Sequence, residues 1–217
     1  MINNLSITSV AVDGDLPGHP FHGNQHMMGE AAVKHPTEGS RARNMERVKA
    51  IVAAEAKRQG FPAHLIKVLP GEAKFSVNGK NFKAAGLFHH ATGTVSIYAD
   101  AITDHNKMQI KDIVSHEIGH AIFQKEIVGQ AHAGSSFAKH MANKEVLEKN
   151  DGVTSYSRSY WKGLKAGTNT YNAALHETFA EVHALHSTNP KEFDRAVKPA
   201  WKEFYADVMK ASKVGVK

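Results

Sequence analysis

The sequence contains no cysteine. That removes disulfides, thiolate-ligated zinc, iron–sulfur clusters and a cysteine nucleophile together. No apolar run approaches the roughly 20 residues that a membrane-spanning helix needs. The opening residues, MINNLSITSVAVDGD, place no basic segment ahead of their short apolar stretch. No secretory signal is read there, and a cytoplasmic or virion-associated location is expected. Aromatic residues are few, at 8%, yet 41% of the 217 residues are apolar, enough for an ordinary core. Basic residues outnumber acidic ones, 27 to 21, for a net charge of +6. They are scattered rather than run together, so nucleic acid is not the expected partner. Histidine is abundant, with 15 in the chain. Without cysteine, any metal must be held by His, Asp and Glu.

Gly14, Pro17, Gly18, Pro20, Gly23, Gly29 and Pro36 break up the first 38 residues. This stretch reads as a flexible polar arm, with His19, His22, His26 and His35 on it rather than in a ligand set. Residues 39–217 read as one domain. A helical stripe of Met45, Val48, Ile51, Val52 and Ala56 predicts a helix over 40–59, stopped by Gly60 and Pro62. Short strands are expected over 64–69, 74–77, 82–85, 87–89 and 94–98, with turns at Asn78-Gly79 and Thr92-Gly93. Helices follow over 106–128, 135–148 and 172–186. Residues 150–170 read as loop with one helical turn near 160–165. Pro190 starts a last helix that Pro199 divides. A small twisted sheet followed by several helices makes the fold class α+β.

Residues 116–120 read His-Glu-Ile-Gly-His. On a helix His116 and His120 lie one turn apart on one face, so two imidazole nitrogens can reach one Zn²⁺. Glu117 points about 100° away and cannot chelate with them, but can reach a water at the same metal. This is the HExxH arrangement of zinc proteases. Ile110, Val114, Ile118, Ala121 and Ile122 form a stripe on roughly the opposite side, which leaves the histidine face free for a site. Gly119 is costly in a helix and permits something to approach closely beside the metal.

A third ligand sorts the subclass. The HExxHxxGxxH pattern fails, because Phe123 and Glu126 stand at its Gly and last His. Glu177 and Glu181 share one face of a later helix, with Leu175, Phe179, Val182 and His186 on the other. One carboxylate suits the metal and the second suits the free N–H of a ligating histidine. Geometry alone leaves the choice between them open. By comparison with thermolysin-like enzymes, Glu177 is the ligand and Glu181 its supporting acceptor.

Three ordered segments extend the pattern: Val153-Thr-Ser-Tyr-Ser-Arg-Ser159, Glu177-Thr-Phe-Ala-Glu181 and His186-Ser-Thr-Asn189. With the HExxH, they resemble the protease domain of anthrax lethal factor and its relatives, including the Pro-Pro endopeptidases. The resemblance runs from about residue 86 to 211. It implies a zincin-like metalloprotease domain whose HExxH helix carries the active site. Zinc would be bound by His116, His120 and Glu177, with Glu117 as general base. Tyr156 would donate to the developing oxyanion, with Tyr171 as runner-up. The strand bearing Gly93, Thr94, Val95 and Ser96 would be the rim strand that pairs with an extended peptide. The expected cofactor is Zn²⁺, the partner a peptide or protein substrate, and the chain a monomer that needs no membrane. Tyr156 stands further from Glu177 than in the family, so residues 159–172 read as an insertion. Tyr160 reads as packing with Trp161.

The arm segment GHPFHGNQH is similar to short segments of tailed-phage head and morphogenesis proteins, which implies a phage origin. The alternative to an enzyme is therefore a phage-associated basic virion or nucleic-acid-binding protein with an inactive or structural zinc site.

Overall fold

The computed structural model describes residues 37–77, 80–102, 107–125, 152–167 and 171–214. The arm up to residue 36, with its histidines, and the helix expected over 135–148 lie outside the described residues. Helix α1 spans Glu38–Arg58. The Thr37 side chain caps it by accepting from the Ser40 N–H, and Lys57 and Arg58 suit the negative end of the helix dipole. Gly60, at φ 67°, turns the chain out of the helix in a conformation that favours glycine.

Strands β1 (Ile66–Leu69), β4 (Gly86–His89) and β5 (Thr94–Tyr98) form one sheet; β2 (Ala73–Val77) and β3 (Lys80–Ala84) form a separate antiparallel ribbon. The strand expected from 64 begins two residues later, because Ala63–Leu65 is a 3₁₀ turn after Pro62. The sheet order is β1-β5-β4. β5 pairs in parallel with β1, matching Ile66 with Val95, and antiparallel with β4, matching Phe88 with Val95.

This order corrects the rim-strand expectation. β5 is flanked by a strand on both sides, so Val95 and Ser96 have no free backbone edge for a peptide, and Thr94 is paired with His89 of β4. Val95 and Ser96 are buried, and Gly93 is a turn residue at φ 66°. Among the described strands, β4 and β1 are the edges of this sheet.

Helix α2 spans Lys107–Phe123, α3 Ser155–Lys165, α4 Tyr171–Thr188, α5 Pro190–Ala196 and α6 Pro199–Val214. The prolines start α5 and α6 as expected, where their missing N–H costs nothing. α3 is a correction, because a loop with one helical turn was expected there. Thr154 and Ser157 cap each other's backbone, and the chain stays helical for 11 residues. What reads as an insertion over 159–172 is largely the rest of α3 and the start of α4.

Two apolar cores result. One packs Val48, Val52, Phe88, Ile97, Val114 and Ile118 between α1, α2 and the sheet. The other packs Phe123, Trp161, Phe179, Trp201 and Phe204 among the later helices. α2 and α4 join the two. Neither helix keeps the open face expected of it, since both faces are covered. Residues 113–120 of α2 and 173–184 of α4 are buried throughout. Among the described residues, no helix is long and apolar enough to cross a membrane.

Gly119 explains how closely α2 and α4 approach. A Cβ built there would stand 2.9 Å from Ala180 Cα and 3.1 Å from His183 Cβ. The neighbour is main chain, which cannot swing aside. Alanine should gain about 1 kcal/mol of helix propensity, but overpacking a rigid seat costs about 1–3 kcal/mol. Gly119→Ala is therefore expected to be net destabilising in urea unfolding. A gain in the midpoint would show that the helices can part freely.

Candidate metal centre

The HExxH turn brings His116 and His120 side by side, with ring centroids 4.6 Å apart. α4 lays Glu177 against both. His116 Nε2 is 3.0 Å from His120 Nε2 and 3.4 Å from Glu177 Oε2. His120 Nε2 is 3.6 Å from Glu177 Oε2. In tetrahedral zinc coordination with bonds of about 2.0–2.1 Å, ligand atoms sit about 3.3–3.4 Å apart. The three observed distances bracket that value. All three residues are buried, and they form a group able to hold a metal ion. Their donor set, two imidazoles and one carboxylate, suits zinc.

Glu181, one turn after Glu177, places Oε1 3.4 Å from His116 Nδ1. A carboxylate behind a ligating imidazole holds its proton and its tilt. His120 has a different partner. Its Nδ1 meets His176 Nδ1 at 2.5 Å.

Glu117 is buried beside the group. It accepts from the Phe88 N–H of β4, while its Oε2 has no hydrogen-bond partner among the described residues. Gly86 makes this fit possible. A Cβ there would lie 2.7 Å from Glu117 Cγ and Oε1, so a side chain would displace the carboxylate. Tyr156, from the first turn of α3, is buried, and its ring centroid is 6.3 Å from that of His116. Its hydroxyl bonds the Glu177 carboxylate and lies 3.2 Å from Tyr160 Oη. Tyr160 packs against the core that holds Trp161, as expected, and its hydroxyl adds the contact to Tyr156. Tyr171 instead packs edge-on against Trp161, with centroids 5.7 Å apart.

The electrostatics are those of a dry, crowded site. Burial pushes the Glu117 carboxyl up to about 7 and also raises Glu177. Burial alone would lower His116. Hydrogen bonds to Glu177 and Glu181, and the charges of Glu181 and Glu117, outweigh it and raise His116 well above its ordinary value. Burial, joined by the neighbouring imidazoles, holds His120 well below. Three carboxyl groups in one buried volume disfavour one another's charge, and a cation held among them would relieve that repulsion.

Behind the ligands, Ser115 donates to Glu55, and Gln59 donates to both Glu55 and Ser115. His183 Nε2 meets Gln59 Oε1 at 2.7 Å. These bonds tie α1 and α4 to the residue next to His116. The sequence reading assigned no role to His176, Gly86 or this network. An unexplained His beside Glu177 was the one visible signal among them.

No protein family, curated protein or solved structure matches the chain.

Proposed function

We propose that the chain is a zinc-dependent endopeptidase with a zincin-like fold, acting on a peptide or protein substrate. The observation that supports this reading best is the near-tetrahedral spacing of His116 Nε2, His120 Nε2 and Glu177 Oε2, with the buried Glu117 alongside. The resemblance of the segments around Tyr156 and Glu177 to lethal factor-like proteases agrees with it.

Zinc, when bound, supplies a Lewis acid that acidifies water and polarises a carbonyl. Glu117 then takes the proton of the attacking water and passes it to the departing amine. A basic carboxylate suits that task, and burial, joined by the charge of Glu177, raises this one. The Tyr156 hydroxyl moves its hydrogen bond from Glu177 to the oxygen on which charge develops. Tyr160 steadies the phenol from one turn away. Of the edge strands of this sheet, β4 is the one beside the centre, so an extended peptide would pair with β4 rather than β5. β4 runs against α2, and its Phe88 N–H already reaches Glu117.

Tyr156→Phe tests the phenol. It should bind zinc as the parent does and lose kcat by a factor of about 10²–10³. The check is single-turnover cleavage of a fluorogenic peptide library beside a zinc titration. If Tyr171→Phe lost the rate and Tyr156→Phe kept it, the role would pass to Tyr171.

A further inference from the structure

We infer that His176 orients the ring of His120 and holds its proton on Nδ1, an imidazole standing where His116 has the carboxylate of Glu181. The inference rests on the metal reading above and adds a positioning residue to it.

His120 is fully buried and turns Nε2 toward His116 and Glu177. A ring that ligates through Nε2 carries its proton on Nδ1, and that N–H needs an acceptor in a dry site. The atom present is His176 Nδ1, at 2.5 Å. The Nδ1 of His176 therefore accepts, which puts its own proton on Nε2, a buried nitrogen with no hydrogen-bond partner among the described residues, at a cost that the bond to His120 must outweigh.

The acceptor ring is clamped. Its centroid lies 4.5 Å from that of Phe123 on α2, 6.4 Å from Phe88 on β4 and 4.9 Å from His90. His176 itself is 4% exposed. Rings from α2 and from the β4 end of the sheet hold it in place, as an orienting group requires. His176 also directly precedes Glu177, so one turn of α4 supplies a ligand and the prop for a second ligand.

The two histidines thus have unlike support. A carboxylate behind His116 makes that imidazole more basic and adds a negative charge. A neutral imidazole behind His120 fixes the ring without adding charge. The centre already holds Glu117, Glu177 and Glu181, and a fourth buried carboxylate would be costly there.

The test compares three variants of the full chain by zinc competition with a chromophoric chelator and by the visible spectrum of the Co²⁺ form. His176→Phe keeps a ring but removes the acceptor. His176→Asn can place its amide oxygen about where Nδ1 stands. His176→Gln reaches toward the Nε2 position instead. Zinc affinity should fall about 10–100-fold in the Phe and Gln variants and recover to within a few-fold in the Asn variant. The Co²⁺ bands should shift in the first two and match the parent in the third. Parent-like affinity and bands in His176→Phe would overturn the inference. So would an Asn variant as weak as the Gln variant, a contrast between polar amides that holds even where Phe disturbs packing. A parent chain that takes up no metal would remove the metal reading and this inference together. Normal parent uptake with unaffected variants removes the inference alone.

Discussion

Glu177→Ala is expected to bind zinc far more weakly than the parent chain. The parent should take up about one zinc per chain, since His116, His120 and Glu177 are the one such group among the described residues. Loss of a direct ligand should exceed the about 10–100-fold that follows loss of a hydrogen-bonding neighbour. Glu177→Gln belongs beside it, because the amide keeps the volume of this buried side chain while removing its charge. Both variants should fail in competition with a chelator that the parent resists. Parent-like affinity in both would mean that Glu177 does not complete the site. Glu181→Gln gives the internal contrast. It leaves three ligands in place and loosens the His116 Nδ1 contact, so its loss should be the smaller one.

The second large effect is expected at Glu117. Glu117→Gln should hold zinc with nearly parent affinity and lose turnover by a factor of about 10²–10⁴. The substitution is gentle on the fold. A glutamine oxygen can still accept from the Phe88 N–H, and its length fits the seat that Gly86 leaves open. The measurement is single-turnover peptide cleavage by zinc-loaded protein, with metal content determined on the same sample. Cleavage at the parent rate would falsify the assignment of Glu117 as the base. Loss of zinc together with activity would instead make Glu117 part of the ligand set.

Local signals carried much of the fold. Gly60 marks the end of α1, and Pro190 and Pro199 mark the starts of α5 and α6. The HExxH spacing needs only one helical turn, so the pairing of His116 with His120 could be read directly. The misreadings have a common physical cause. Strand order depends on pairing between distant segments, and the parallel partner β1 is what encloses β5. Nothing within residues 93–98 announces that partner. α3 has little sequence signal because Ser, Gly and Thr are weak helix formers. Its cap uses Ser157 rather than a Glu or Gln, so the usual signature is absent. The bond from His120 to His176 joins residues on different helices, and no periodicity encodes it. Burial on every side of α2 and α4 was likewise hidden, because amphipathic stripes show the apolar face and say little about what covers the polar one.

The seat of Gly119 on Ala180 has a mechanical meaning. Main chain meets main chain there, so the gap between the histidine pair and Glu177 is gauged by the backbones of α2 and α4 rather than by flexible side chains. The same two helices bind the two apolar cores to each other. An ion gripped between them would act as a rivet through the joint. At a free concentration of 100 times its Kd, it would add about 2.7 kcal/mol to the stability of the riveted unit. Occupancy and tertiary integrity would then rise and fall together, and losing the ion would loosen both halves of the molecule.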